Sequence, residues 1–179
     1  MYLIISDTHD NLDSLSKIKD IVKKLSINAI IHLGDYTSPF TLLEILRIDN
    51  VGFIGILGNN DGDKIKLMEL AGNKISEQPL ELKIGKYDVI AIHGFKDPNL
   101  TKKIVHALVS SRYYSIVLYG HTHQYDLKIS NNVLVMNPGT LAGYLSKHKS
   151  YGIIDLNSRV AEVRELESNA LLARVGLPY

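Results

Sequence analysis

Cysteine is absent from this 179-residue sequence, which excludes disulfide bonds, thiolate metal sites and a cysteine nucleophile. A large excess of charge is also absent: the formal net charge is +1, so no overall field attracts nucleic acid or a membrane surface. No apolar run approaches a membrane span, and the first run, YLII, is too short for a signal peptide. We therefore expect residues 1–179 to form a single cytoplasmic domain without membrane contact.

The first half of the chain alternates short apolar runs with stretches of helical periodicity. The predicted buried strands span residues 2–6, 29–34 and 51–57. A helix is predicted after each strand. The first has Asn11 or Asp10 as its N-cap, the second has Ser38 as its N-cap before Pro39, and the third begins at about Asp63. Strands that alternate with helices in this way pair in parallel through crossover connections.

The second half is dominated by strand patterns. A hairpin is predicted around Gly85 and Lys86, a helix over residues 101–110, and further hairpins with turns at 131–132 and 157–158. From about residue 168 an apolar tail follows, and its pattern leaves open whether it packs on its own domain or on a partner, including a second copy. Two packed sheets with helices outside would accommodate both halves of the chain.

The segment YGHTHQ ends an apolar run with two histidines one residue apart. In an extended segment, residues two apart point to the same side, so His121 and His123 are expected to reach one point together. Asp7 and His9 are spaced in the same way at the end of the first predicted strand. Such a pair alone is equally consistent with two polar residues at a strand exit.

Five predicted strands end in polar residues that suit a metal ion. These residues are Asp7, His9, Asp35, Asn59, His93, His121 and His123. In open α/β sheets, ligands bind outside the carboxyl ends of the strands, so these side chains should converge on one edge. Seven candidates are too many for one ion and match two ions that share a carboxylate, a type of site with ions about 3.5–4 Å apart. The alternative is that they are unrelated polar strand exits.

The endings SDTHDN, LGD, GNND, HG, GHTH and NPGT, in this order, resemble those of the calcineurin-like metallophosphoesterase superfamily. The short length is similar to that of its small bacterial and archaeal phosphodiesterase branch, which is related to the retromer subunit Vps29. The resemblance implies an α/β fold, a four-layer αββα sandwich with two packed mixed β-sheets. It also implies a two-metal phosphohydrolase that acts on a small phosphate ester.

The resemblance further assigns roles to individual positions. One metal would be held by Asp7, His9 and His123, the other by Asn59, His93 and His121, with Asp35 bridging. A hydroxide between the metals would attack phosphorus in line, and Asp61 would orient a ligand or a bound water. Manganese is the expected ion, although nickel, cobalt, iron or zinc would suit the same nitrogen and oxygen donors.

Two positions depart from the family pattern. Asn60 stands where many members have the histidine that donates a proton to the leaving group, so it replaces the usual general acid. Asp10 stands where the first motif commonly has glycine, which adds a carboxylate near the mouth of the groove.

Other functions remain open at the level of sequence. A non-catalytic interaction scaffold of the same fold has no need of the intact ligand set. A nuclease is not favoured, because no basic stripe interleaved with aromatic residues is present and the ten tyrosines are scattered. A phosphomonoesterase is a further open alternative.

Several polar residues have structural interpretations. His32 is expected to be a hydrogen-bonded core histidine, and His106 and His148 to lie on the surface. Asn137-Pro138-Gly139 is interpreted either as a tight turn or as part of the lining of the site.

Overall fold

Residues 1–179 are described by a computed structural model in which two β-sheets pack face to face and helices cover their outer surfaces. The helices are α1 (Leu12–Lys24), α2 (Pro39–Leu46), α3 (Lys64–Ala71) and α4 (Pro98–Ser111). The strands are β1 (Tyr2–Ile5), β2 (Ala29–His32), β3 (Gly52–Ile56), β4 (Ile75–Ser76), β5 (Leu80–Ile84), β6 (Tyr87–Ile92), β7 (Ile116–Tyr119), β8 (Asp126–Ser130), β9 (Val133–Asn137), β10 (Ser150–Asp155), β11 (Val160–Glu165) and β12 (Leu171–Gly176). The predicted four-layer sandwich is confirmed.

The first sheet combines strands from both ends of the chain, in the order β12-β11-β10-β1-β2-β3-β4. Strands β1 to β4 pair in parallel, as the strand–helix alternation predicts, with Ile4 beside Ile31. Strand β10 then pairs antiparallel with β1, and β11 and β12 extend the sheet. The apolar tail, which the sequence did not assign, therefore packs on its own domain as the edge strand β12.

The second sheet has the order β5-β6-β7-β9-β8. The hairpins β5–β6 and β8–β9 are antiparallel, as predicted from their turns. Strands β6, β7 and β9 run parallel to one another, which the sequence pattern did not predict. Because β6 and β7 are parallel, their carboxyl ends meet at one edge of this sheet.

Alternation along the strands divides the core into three layers. Leu3 and Ile5 of β1 pack toward the helices α1, α2 and α3, and Ile4 packs between the two sheets. A third cluster joins the second sheet to α4, where Val105 and Val109 are buried. Ile4 and Ile31 thus bury the inner face of the first sheet against the second, which fixes the two sets of carboxyl ends side by side.

The ends of the elements differ from the predictions by one to three residues. The first strands end earlier than predicted, because the residues after Ile5, His32 and Ile56 turn out of the sheet. Asn11 caps α1 as predicted, since its Oδ1 accepts the N–H of Ser14 at 3.0 Å. None of the helices is both long enough and apolar enough to span a membrane.

Ser38 occupies the predicted N-cap position of α2, but its side chain makes no capping bond. Its hydroxyl donates instead to Asp10 Oδ1 at 2.5 Å, and the hydroxyl of Thr41 donates to the same oxygen at 2.6 Å. Asp10 therefore ties the loop after β1 to the start of α2 and does not present a free carboxylate to the groove.

His32 is a fully buried, hydrogen-bonded histidine, as predicted. Its Nδ1 accepts the N–H of Gly34 at 3.1 Å, so Nε2 carries the proton that is donated to Thr8 Oγ1 at 2.7 Å. The ring stacks on Tyr36 with centroids 3.9 Å apart. Burial lowers the pKa of His32 from 6.5 to about 3, so the ring is neutral in the folded protein. His106 is exposed, as predicted, and His148 is partly exposed.

We expect burial of His32 to lower the free energy of unfolding as the pH falls below 6.5. Its folded pKa lies below its unfolded value, so its contribution is complete above pH 6.5 and is lost as the pH falls from 6.5 toward 3. At pH 5 the loss should be about 2 kcal/mol, from about 1.36 kcal/mol per pH unit. Urea unfolding of chelator-treated protein at pH 7.5 and pH 5 should show a smaller decrease for His32→Gln than for wild type.

The matched control is His106→Gln, which removes an exposed imidazole and should leave the pH dependence of unfolding unchanged. An independent measurement is NMR titration of the His32 ring in the folded protein. If its ring signals titrated near pH 6.5, the assigned role of His32 would be wrong.

Candidate metal centre

The predicted ligands lie on loops that leave the carboxyl ends of β1, β2, β3, β6 and β7. Five of them have positive φ: 53° for Asp7, 44° for His9, 62° for Asp35, 66° for His121 and 58° for His123. Residues other than glycine rarely adopt this left-handed conformation, and those that do cluster at functional sites. The loops after β1, β2 and β7 therefore turn sharply as they leave their strands.

Asp7, His9, Asp35 and His123 form one compact group, with donor atoms all within 4.8 Å of one another. His123 Nε2 lies 3.3 Å from both Asp7 Oδ1 and His9 Nε2. Metal–nitrogen bonds of about 2.0–2.1 Å place neighbouring donors roughly 2.8–3.0 Å apart in octahedral coordination and roughly 3.3–3.4 Å apart in tetrahedral coordination. The group therefore has the spacing of a ligand set for one divalent cation.

Asn59, His93 and His121 form a second group beside it. His93 Nε2 lies 2.9 Å from Asn59 Oδ1, and the rings of His93 and His121 have centroids 5.2 Å apart. His93 is fully buried, His121 is partly exposed and Asn59 is exposed, so this second group lies on the open side of the site.

Asp35 lies between the two groups. Its Oδ2 is 3.5 Å from His9 Nε2 and 3.4 Å from His93 Nε2, which is the placement expected of a bridging ligand. Two glycines permit this approach: a Cβ on Gly58 would lie 2.2 Å from Asp35 Oδ1, and one on Gly34 would lie 2.7 Å from His93 Nδ1. The glycines of LGD and GNND are therefore required by close packing.

Backbone carbonyls fix the tautomers of two site histidines. His93 Nδ1 donates to the carbonyl of Leu33 at 2.7 Å, and His123 Nδ1 donates to the carbonyl of Tyr144 at 2.8 Å. Because a carbonyl oxygen only accepts, Nε2 of each neutral ring carries the lone pair that faces the site. Metal-binding histidines are commonly oriented by such a second hydrogen bond.

The carboxylates control the pKa values at the site. Burial lowers the pKa of His93, but its hydrogen bond to Asp35 and the charges of Asp7 and Asp35 outweigh burial and raise it to about 9. Burial likewise lowers the pKa of His123, but the hydrogen bond and the charge of Asp7 outweigh burial and raise it. Burial would raise the pKa of Asp35. The hydrogen bonds from His93 and Asn60 outweigh burial and hold this pKa well below its usual range. The site therefore concentrates negative charge that cations would neutralise.

One atom of the site has no partner. Asp7 Oδ1 is buried without a hydrogen bond, although the other oxygen, Oδ2, accepts the hydroxyl of Ser6 at 2.5 Å and the N–H of His121 at 3.1 Å. An unpaired buried carboxylate oxygen is costly, and a coordinated cation would satisfy it. The residues present therefore fit a divalent metal, while the role of each as a ligand stays a prediction.

Asp61 is 2% exposed and contacts backbone rather than the groove. Its Oδ1 accepts the N–H of Thr37 at 2.8 Å, and Oδ2 accepts those of Asp35 at 3.0 Å and Gly58 at 2.7 Å. Burial raises the pKa of Asp61, and the N–H bonds from Gly58 and Thr37 oppose that shift. Asp61 thus positions the predicted bridging residue through its peptide group.

Asn60 contacts the same bridging carboxylate. Its side-chain Nδ2 donates to Asp35 Oδ2 and its backbone N–H donates to Asp35 Oδ1, both at 2.8 Å. The residue is exposed, so it also reaches the solvent-facing side of the site.

The prediction that His121 and His123 reach one point together, by strand alternation, is wrong in its geometry. Both residues follow β7 and have positive φ, so they are not extended. His121 lies beside His93, whereas His123 lies beside Asp7 and His9. This placement agrees with the division between two metals that the family resemblance implies.

Asn137 forms a tight turn, which is one of the two interpretations of the NPG segment, and its fully buried side chain does not line the site. Its Oδ1 accepts the N–H of Gly139 at 2.8 Å, which forms the turn. Its buried Nδ2 donates to the carbonyl of Gly120 and to Thr122 Oγ1, both at 3.0 Å. The side chain therefore holds the loop that carries the two histidines after β7.

Gln78 was not identified from the sequence. Its Oε1 accepts the N–H of His93 at 2.8 Å and that of Gly94 at 3.1 Å, and its Nε2 donates to the carbonyl of Gly94 at 2.9 Å. The residue thus fixes the loop after β6. It comes from the connection before β5, where no motif or periodicity signals its role.

Comparison with known proteins agrees with this geometry. A phosphodiesterase of Methanocaldococcus jannaschii is 32% identical over 91% of this chain and 96% of its own length. The solved structure of a novel archaeal phosphodiesterase is 30% identical and superposes with a TM-score of 0.79 over 96% of this chain and 99% of that one. Vps29 of Entamoeba histolytica, solved in complex with zinc, shares the fold at 19% identity, with a TM-score of 0.71 over 98% of each chain.

The family model matches most of the chain. The model of the calcineurin-like phosphoesterase superfamily domain covers residues 1–159, which include every predicted ligand and strands β1 to β10. The matched region therefore contains the whole candidate metal centre. This chain belongs to the calcineurin-like phosphoesterase superfamily.

Proposed function

We propose that this protein is a phosphodiesterase that uses two divalent metal ions. The observation that carries the proposal is the position of Asp35 Oδ2, 3.5 Å from His9 Nε2 and 3.4 Å from His93 Nε2. A carboxylate oxygen between two groups of nitrogen and oxygen donors is the arrangement that a two-metal hydrolytic site requires. The archaeal phosphodiesterase that is 32% identical supports diesters as the substrate class.

The proposed ligand set follows the two groups and their shared residue. Asp7, His9 and His123 would hold one ion, Asn59, His93 and His121 the other, and Asp35 would bridge. We propose manganese as the ion in use, since imidazole, carboxylate and amide donors suit it; nickel, cobalt, iron and zinc also accept such ligands.

The metal ions would supply an activated water for in-line attack on phosphorus and would neutralise the phosphate oxygens. The chain's own contribution is position. The carbonyls of Leu33 and Tyr144 orient the lone pairs of His93 and His123, and Asp61 holds the backbone of Asp35. This arrangement exists before substrate arrives, so little reorganisation is needed during reaction.

Asn60 determines which leaving groups are accepted. An amide can donate a hydrogen bond to a phosphate oxygen, but it has no proton to give near neutral pH. One of its two amide hydrogens is already donated to Asp35, which leaves the other for the substrate. The chain therefore offers positioning at this place and no general acid.

The rival functions are separated by turnover rather than by metal content. Vps29 of Entamoeba histolytica was solved with zinc, so bound metal alone does not exclude a scaffold of this fold. A phosphomonoesterase would prefer monoesters over diesters, and a nuclease would cleave polynucleotides faster than small diesters.

We expect activity on aryl phosphodiesters to require both ions. Chelated protein should be inactive and should recover with manganese. Asp35→Asn should weaken the binding of both ions because it removes the negative charge of the bridging side chain, and His9→Ala should mainly remove one ion. The loss of activity in Asp35→Asn should exceed the roughly 10–100-fold effect of removing an outer hydrogen-bond partner. Elemental analysis and turnover after metal reloading measure these effects.

The control for this series is Asp88→Asn. Asp88 is a 55% exposed carboxylate that pairs with Lys83 in the β5–β6 hairpin. It should keep the wild-type metal content and rate. Two ions per chain in Asp35→Asn would show that this residue does not bridge, and full turnover in verified metal-free protein would disprove metal dependence.

We also expect a steep dependence of rate on the leaving group. General acid catalysis contributes about 10²–10⁴-fold and matters most for basic leaving groups. Because Asn60 cannot protonate the leaving oxygen, aryl diesters should react far faster than alkyl diesters. Asn60→His should flatten the plot of log kcat/KM against leaving-group pKa by supplying a proton donor.

Asn60→Ala is the control, since it removes the contact with Asp35 Oδ2 without adding an acid. It should lower all rates and keep the steep slope. A shallow wild-type slope that Asn60→His leaves unchanged would mean that another group already protonates the leaving oxygen.

A further inference from the structure

Tyr144 is a large aromatic side chain left in solvent beside the candidate metal centre. It is 62% exposed, and its ring centroid lies 6.1 Å from that of His9, with 57° between the planes. The ring belongs to none of the three hydrophobic clusters, and its hydroxyl makes no hydrogen bond. The fold therefore gives this side chain no role of its own.

The backbone that carries the ring is nevertheless fixed. The carbonyl of Tyr144 accepts a hydrogen bond from the ring Nδ1–H of His123 at 2.8 Å. The carbonyl of the next residue, Leu145, accepts one from the side-chain amide of Gln124. Leu145 is 85% exposed and has a φ of 54°, an unfavourable conformation for leucine. A strained, firmly held loop that presents an open aromatic ring is typical of a binding site.

Leu145 also lines an open cavity of about 780 Å³. The lining residues are Gln124, Tyr125, Leu145, Ser146, Lys147 and His148. The cavity is open to solvent, and Tyr144 is adjacent to it in the chain without lining it. Lys147 forms no ion pair, so the lining offers a free cation and several hydrogen-bonding groups next to exposed apolar surface.

We propose that Tyr144 is a specificity residue that stacks on a planar aromatic ring carried by the group that is esterified to the phosphate at the metal centre. This assignment rests on the function proposed above. Stacking is favoured because the ring is exposed beside His9 and the backbone that carries it is held by the hydrogen bond from His123. The cavity lined by the next residue, Leu145, offers polar side chains, which favours an aromatic ring with hydrogen-bonding edges, such as a nucleobase, over a plain phenyl ring.

The test uses manganese-loaded protein and isothermal calorimetry with three phosphates. Adenosine monophosphate carries a base, phenyl phosphate carries a simple ring, and ribose 5-phosphate carries neither. Adenosine monophosphate should bind about tenfold or more tightly than ribose 5-phosphate, the scale found for one stacked base. Phenyl phosphate should lie between them, and an equal gain for both rings would identify a general aryl site.

Tyr144→Ala should weaken binding of adenosine monophosphate far more than binding of ribose 5-phosphate, because it removes the ring and keeps the carbonyl that orients His123. Tyr144→Phe should retain the preference. The matched control is Tyr113→Ala, which removes a tyrosine that is 82% exposed just after α4. Elemental analysis of each variant should show the wild-type metal content.

The outcomes separate this assignment from the proposed function. Equal wild-type affinity for all three phosphates, or an equal loss for all three in Tyr144→Ala, would overturn the role of Tyr144 alone. Protein that hydrolyses aryl diesters but binds none of the three phosphates would also overturn only the role of Tyr144. Protein that holds two ions and hydrolyses no phosphodiester would overturn the proposed function and this assignment with it. The wild-type comparison does not depend on whether a variant folds.

Discussion

A reciprocal exchange of hydrogen bonds between two loops supports the whole candidate site. Asp61, after β3, accepts the N–H groups of Asp35 and Thr37 after β2. In return, the carboxylate of Asp35 accepts two N–H groups from Asn60. Each buried carboxylate thus satisfies the other loop's backbone, and neither loop could move alone without leaving a charged group unpaired. The position of Asp35 between the two groups of donors is a consequence of this exchange.

Much of the fold could be predicted from local patterns. Apolar runs with polar ends give β1, β2 and β3, and turn residues give the hairpins, because both signals depend on neighbouring residues only. The pairing of β10 with β1 could not be predicted, because it joins segments about 150 residues apart. The edge strand β12 was missed because its apolar tail lacks a clear alternation.

The site was predicted by a different route. Residue types at strand exits identified the candidate ligands, since ligands of parallel sheets bind at the carboxyl ends. Alternation misplaced His121 relative to His123, because positive φ values replace the extended geometry on which alternation depends. Gln78 and the carbonyl of Tyr144 act through single long-range hydrogen bonds, and no local pattern records such bonds.

The donors come from both sheets, and this has a consequence for assembly. Asp7, His9, Asp35 and Asn59 follow strands of the first sheet, whereas His93, His121 and His123 follow strands of the second. His9 and His123, whose rings meet at the site, are 114 residues apart in the chain. In a partly folded chain with undocked sheets, neither sheet therefore presents the complete set of donors for either group. Each bound ion would be coordinated by residues of both sheets and would hold the sheets together. Metal binding and the docking of the sheets would therefore be cooperative.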